Sequence, residues 1–292
     1  MRKSVNHTRH FQKSSFLKSR RGISEVMLRK CGKEDEERIL FYIGEDYPSC
    51  LYLYLNLKKY GFDSGITELF VQQENGMITA VLLQYYSCLH VFSRDNSFDA
   101  KEVADFFSSN DFTMLYCESR TAKKVYISLP ESIKAKVACS NGWVASIKHV
   151  DKAPKGIAVP ADRGDFCQIA HLILSDEKIG KSYRYKELEK QLRERNSEGY
   201  SRNLVIKQSD LIIAHACTNA EIDNIAVVAE LIVKEDYRRA GYASEIWRDI
   251  CQRLLSEGKE VFSFYYSMES RALHHKIGFC EVCDWTKVVK CS

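Results

Sequence analysis

Apolar positions recur at two periods along this chain, and the alternation between them divides it into two stretches of the same order. In residues 25–150, "EVMLRK" alternates as a short strand, while "EDEERILFYIGE" and "CLYLYLNLKKY" place apolar residues at helical spacing. Two strands follow, "ELFVQQ" and "MITAVLLQYYSCLHVF", separated by the turn residues "ENG". "DAKEVADFFSS" then reads as a helix and "FTMLYC" as a strand. "VDKAPKGIAVPADRG" gathers two of the four prolines with two glycines, which sets a boundary near 150–163. Beyond it come helices "FCQIAHLIL" and "RYKELEKQLRE" and strands "NLVIKQ", "LIIAHACTN" and "AVVAELIV". A helix over 242–257 follows, with Ala243, Ile246, Trp247, Ile250, Cys251, Leu254 and Leu255 on one face and Gly258 as its stop. Strand "EVFSFYY", helix "MESRALHHK" and strand "FCEVCDWTKVV" complete the order. The pattern predicts an α/β (α+β) protein of two tandem domains, 25–150 and 164–292, joined by a linker over 151–163.

Charge changes the picture at one end only. The formal net charge is +4, yet residues 1–30 hold nine Lys/Arg against a single acid, Glu25, and residues 31–292 hold 34 basic against 38 acidic side chains. The body is mildly acidic, which argues against nucleic acid as a partner. Residues 1–24 read as a disordered basic extension: they lack the apolar segment of a secretory signal, though their Arg/Ser richness resembles a transit peptide. No window approaches 18 uninterrupted apolar residues, so no membrane partner is expected. Eleven scattered cysteines, several inside apolar runs, fit reduced core positions and a cytoplasmic protein. Cys280 and Cys283 have CxxC spacing but no second pair, and on a strand they would face opposite sides, so no metal site is expected.

The chemistry concentrates in "YRRAGYASEIW", residues 237–247. A helix start leaves about four backbone N–H groups without partners and adds partial positive charge. With Gly241 and Ala243 leaving the approach open, a phosphate can bond those donors directly, and Arg238 and Arg239 add positive charge. A glycine turn before a helix is also common in proteins that bind nothing, and neither a Walker loop nor a GxGxxG fingerprint is present.

The spacing Arg238-x-x-Gly241-x-Ala243 resembles the signature loop of the GCN5-related N-acetyltransferases (GNAT), R/Q-x-x-G-x-G/A. "SMESRALHHKIGF", residues 267–279, is similar to that family's later segment, N-x-x-S/A-x-x-hydrophobic-Y-x-K-x-G-F. The resemblance implies a twisted, mixed, mainly antiparallel sheet in each half, flanked by helices and splayed at its middle to take acetyl-CoA. It implies that backbone groups of Leu231, Ile232 and Val233 pair with the pantetheine arm. Arg238, Arg239, Ala240, Gly241, Tyr242, Ala243 and Ser244 would hold the pyrophosphate. Ser267 stands at the family's asparagine, and His274 stands where a tyrosine commonly protonates the departing thiolate. Imidazole could serve as that acid, or could simply lie on a partly exposed helix. Tyr265 and Tyr266 are substitutes for it.

The glutamate positions of relatives are Val227 and Phe262 here, so no general base is assigned; Glu221, Asp223 and Glu230 lie near in sequence. The corresponding stretch of the first half, "RDNSFDAKEVADFF", has no glycine and carries aspartates that would repel a diphosphate. That half is expected to keep the fold without the cofactor, its aromatic residues serving as core, interdomain packing or an acceptor wall. The expected function is acetyl transfer from acetyl-CoA to an amine, on a small molecule or a protein N-terminus, in a chain that can be a homodimer. A non-catalytic acyl-CoA sensor or scaffold, and an RNA-associated protein using the basic tail, are the rival readings.

Overall fold

A computed structural model of the chain describes residues 27–62, 64–176, 180 and 184–291. The basic extension and residues 177–179 and 181–183 lie outside the described residues. The first half runs β1 (Met27–Lys30), α1 (Glu36–Ile43), α2 (Leu51–Tyr60), β2 (Thr67–Glu74), β3 (Met77–Tyr85), β4 (Cys88–Phe92), α3 (Ala100–Ser109), β5 (Met114–Glu118), α4 (Ser119–Ser128), α5 (Glu131–Lys134) and β6 (Val137–Ile147). The second half runs β7 (Val159–Pro160), α6 (Phe166–Leu174), α7 (Tyr185–Ser197), β8 (Asn203–Gln208), β9 (Leu211–Glu221), β10 (Ile225–Val233), α8 (Tyr242–Ser256), β11 (Glu260–Tyr265), α9 (Met268–Ile277) and β12 (Cys280–Lys290). The run "MITAVLLQYYSCLHVF", expected as one strand, is two: it folds back at Tyr86, whose φ of +50° is unusual outside glycine. Its apolar continuity hid a turn made without glycine or proline.

The two halves share one sheet. Its strand order is β1-β2-β3-β4-β5-β12-β6-β11-β10-β9-β8-β7. The last strand of each half crosses to the other: β12 pairs antiparallel with β5 from Trp285↔Glu118 to Val289↔Met114, and β6 pairs antiparallel with β11 from Val261↔Ile147 to Tyr265↔Trp143. The crossed strands then pair with each other from Cys280↔Ser146 to Lys290↔Val137. The expected pair of mainly antiparallel sheets is therefore joined edge to edge, with the final strands exchanged.

Alternation along the strands puts helices on both faces. Ala226, Val228 and Val261 pack under α8, whereas Ile225, Val227 and Phe262 pack against Leu51 and Leu55 of α2. In the first half Leu82 and Val91 face α3 and α4, while Val81 and Leu83 face α1 and α2. Thus α1, α2, α6 and α7 lie on one side and α3, α4, α8 and α9 on the other. The α2 helix and the 3-10 turn before it lie over the junction, tied to the second half by Tyr200 Oη donating to Asn56 Oδ1 (3.1 Å) and by Tyr47 Oη of the turn donating to Glu260 Oε2 (2.6 Å).

The segment expected as a linker is held along α8. Arg248 donates to Asp151 through Nε (2.6 Å) and Nη2 (2.8 Å), the Lys155 amide donates to Glu245, and Arg253 Nη2 donates to the Ala158 carbonyl (2.9 Å). Buried Ile246, Trp247, Ile250, Cys251 and Leu254 fix the helix on the sheet, each large side chain contributing about 1.5–3 kcal/mol.

Candidate active site

The site is built where two neighbouring strands part. Parallel pairing of β10 with β11 extends only from Ile225↔Glu260 to Val228↔Ser263. Beyond that point β11 stays with β6, while β10 stays with β9 through Ile232↔His215 and Val233↔Ala214. A bulge falls between Ala229 and Ile232, and Glu230 within it has φ of +53°. Among the described residues, the stretch from Ala229 to Val233 therefore has no partner strand on its β11 side. That edge offers backbone donors and acceptors from Leu231, Ile232 and Val233.

The chain leaves β10 through a short 3-10 turn, Glu235–Tyr237, and enters α8 through residues 238–241. Arg239 has φ of +65° and Gly241, the N-cap, has φ of +90°. A β-carbon at Gly241 would meet nothing within 4 Å, so backbone conformation and an open approach demand glycine there, not crowding. The helix's first bond runs from the Glu245 amide to the Gly241 carbonyl (3.1 Å), which leaves the amides of Tyr242, Ala243 and Ser244 ahead of the helical ladder. Gly241 brings no side chain to cap them. Arg239, Ala240 and Gly241 are exposed. Arg238 is held more closely than sequence suggests: its Nε donates to the Val233 carbonyl (3.1 Å), and its guanidinium lies 3.6 Å from Asp176.

The matching helix start in the first half is chemically closed. The Asp99 carboxylate caps α3, accepting from the Lys101 and Glu102 amides at 2.9 and 3.1 Å. Gln72 reaches the same turn, accepting from the Asp99 amide (2.7 Å) and donating to its carbonyl (3.0 Å). An anion at α3 would meet a carboxylate already in place.

The α9 residues carry structural duties. Ser267 Oγ accepts from the Ser270 amide (3.1 Å) as the helix N-cap, while its own hydroxyl hydrogen remains a donor. His274 corrects an expectation. Its ring is 97% buried among Trp247, Tyr265 and Phe279, so it does not lie on an exposed face. Nδ1 lies 2.7 Å from the Ser270 carbonyl, an acceptor only, so Nδ1 carries the proton and Nε2 accepts from Ser263 Oγ at 2.9 Å. Burial lowers its pKa to about 4, which keeps the ring neutral near pH 7. An imidazole whose single N–H is given to a carbonyl has no proton directed at a leaving thiolate. The motif spacing gave its place on the helix but not the direction of the ring.

Tyr265 is likewise occupied, donating to Glu281 (2.7 Å), while Tyr266 is 37% exposed beyond the end of β11. Of the three acids considered as a base, Glu221 is buried between Arg202 (3.0 Å from Nε) and Lys259 (3.5 Å), and Asp223 is exposed on a turn. Glu230 alone of these lies at the point where the strands part.

Sequence reasoning left the role of the first half's aromatics open. Tyr52 of α2 stacks on Phe264 of β11 (4.7 Å, 13°), and its hydroxyl accepts from Asn219 Nδ2 of β9 (3.4 Å). Burial raises its pKa to about 12. Nothing in a helical "LYLYL" run tells which ring will cross to the other half.

Comparison with known proteins now has a geometry to meet. Residues 168–279 match the Acetyltransferase (GNAT) family. No curated protein matches the sequence. Among solved structures, a Drosophila melanogaster protein aligns with a TM-score of 0.68 at 12% identity, over 91% of this chain and 99% of its own. A GCN5-related N-acetyltransferase from Sphaerobacter thermophilus gives 0.60 at 12% identity, over 91% and 95%. A tandem GNAT protein from the clavulanic acid biosynthesis pathway gives 0.55 at 10% identity, over 91% and 98%. At these identities the likeness is one of fold, and it extends across both halves. Residues 168–279 of this chain form a domain of the GNAT acetyltransferase family, in tandem with a first half of the same fold whose helix start is closed by its own carboxylate.

Proposed function

We propose that the second half transfers an acetyl group from acetyl-CoA to an amine by direct attack. The observation that carries this reading is the continuity of two donor sets: the unpartnered edge of β10 leads straight into the side-chain-free start of α8. Leu231, Ile232 and Val233 would pair with the pantetheine arm through their backbones. The amides of residues 239–244 would hold the pyrophosphate, with Arg238 and Arg239 adding charge and Ser267 a hydroxyl. The thioester would then lie at the bulge, where a backbone amide near Glu230 or Leu231 stabilises the oxyanion.

In the transfer, the amine nitrogen bonds to the thioester carbonyl carbon, the C–S bond breaks, and the proton lost by nitrogen is balanced by one gained by the CoA thiolate. Orientation in the cradle supplies most of the acceleration, so a dedicated acid is not required of His274. An acyl-CoA sensor is the second reading, favoured by Val227 and Phe262 at the positions where relatives carry glutamate.

Calorimetric titration with acetyl-CoA tests the cradle. Gly241→Glu should abolish binding, because it combines a strained φ with a carboxylate set against the diphosphate. Unchanged affinity refutes the cradle. Incubation with acetyl-CoA and an amine panel, read by product mass, separates the enzyme from the sensor, which binds without forming an amide.

A further inference from the structure

One side chain of the first half stands over the point where β10 and β11 part. The last pair between those strands is Val228↔Ser263, and Phe264 is the next residue of β11. The Tyr52 ring stacks on Phe264 (centroids 4.7 Å apart, 13° between planes), while its hydroxyl reaches Asn219 of β9 at 3.4 Å. Asn219 sits in the register shift between Ala220↔Val227 and Thr218↔Val228. Because β10 runs between β9 and β11, a side chain that touches both crosses β10 beside the parting. It does so on the face turned away from α8, where it clusters with Val227 and Phe262.

The hydrogen bonds fix which way the hydroxyl works. A guanidinium only donates, so Arg195 Nη1 makes Asn219 Oδ1 the acceptor (3.2 Å), and the amide's Nδ2 is left to donate to Tyr52 Oη. Oη therefore accepts on that side and has its own hydrogen still to give. All three groups donate in one direction, headed by a positive charge, and each polarises the next. Burial raises the phenol's pKa to about 12, so the hydrogen stays on the oxygen at neutral pH. A donor chain that ends over the parting calls for an oxygen acceptor within it. We propose that Tyr52 is a catalytic residue of the second half, its hydroxyl donating to the thioester oxygen of bound acetyl-CoA beside the backbone amide at the β10 bulge. This rests on the acetyltransferase reading above. As the amine nitrogen bonds to the carbonyl carbon, the carbonyl π pair moves onto that oxygen, where two donors meet the charge. The pair returns as the C–S bond breaks; Tyr52 keeps its proton throughout, and the proton lost by nitrogen is balanced by one gained by sulfur. The site is then complete only while α2 of the first half lies over it.

Infrared difference spectra of the full chain, loaded with acetyl-CoA that carries carbon-13 at the thioester carbonyl, read the donation without any acceptor amine. Tyr52→Phe keeps the ring on Phe264 and should raise the carbonyl stretching frequency of the bound thioester. Asn219→Asp keeps Tyr52 but offers its hydroxyl a carboxylate to donate to, so it should raise the frequency as well. A role in packing alone would leave the frequency of both variants at the wild-type value. On any amine that the wild-type chain acetylates, Tyr52→Phe should lower kcat at least about tenfold, with KM for acetyl-CoA changing less. A wild-type frequency in either variant, or a wild-type kcat in Tyr52→Phe, overturns the Tyr52 donor and leaves the acetyl-CoA reading standing. Failure of the wild-type chain to bind acetyl-CoA in calorimetric titration overturns both.

Discussion

Asp99 and Gly241 occupy the same place at the start of a helix and give it opposite electrostatics. Asp99 supplies an anion covalently; Gly241 leaves the donors to be met by a ligand. Calorimetry should therefore count one acetyl-CoA per chain, and two sites would contradict the closed start of α3. The histidines give a second prediction at this scale. Burial lowers the pKa of His90 to about 3, and of His215 and His274 to about 4. Each folded value lies below the unfolded value of about 6.5, so the unfolded chain binds more protons between them. Stability is thus full above pH 6.5 and falls as pH drops toward 4, by up to about 1.4 kcal/mol per pH unit for each histidine. Urea unfolding at pH 7, 6 and 5 should reveal this slope, and His274→Phe should flatten it by one proton. The start of α8 after Gly241 was legible in the sequence because a glycine ahead of an apolar helical period is a local feature. The role of His274 was not, because what a ring faces depends on Ser263, eleven residues away on another element.

Among the elements, β6 binds the two halves most tightly. Its Gly142 lies so close to β11 that a β-carbon there would stand 2.2 Å from the Tyr265 carbonyl and 2.7 Å from the Tyr266 ring. Gly142→Ala should cost about 1–3 kcal/mol in denaturant unfolding by forcing these strands apart. A neutral result would mean that the sheet yields there. The existence of β12 could be read from apolar alternation, within one residue at each end, whereas the stretch that holds β6 was given no element because its apolar residues do not alternate regularly. Their exchange could not be read. Alternation states which face of a strand is buried but not which edge it joins, and both halves offer the same edge to both strands.

The whole molecule therefore unfolds as its sheet does. A fragment of residues 151–292 would keep the cradle but lack β6, leaving β11 and β12 without the strand that lies between them. Expressed alone, it should show no cooperative thermal transition, and co-expression with residues 27–150 should restore one. A sharp transition in the isolated fragment would show that β12 can move into the place of β6. The tandem order itself was legible, since two runs of the same periodicities flank one proline-rich break. What the break did not show is that its segment is pinned to α8 by Asp151, Lys155 and Ala158.

Strand exchange also makes the first half, whose α3 is capped by Asp99, a structural partner of the second. Deleting it would strip a central strand from its neighbour and take away Tyr52 as well. Damage to either half should register in both, because each lends its last strand to the other's sheet.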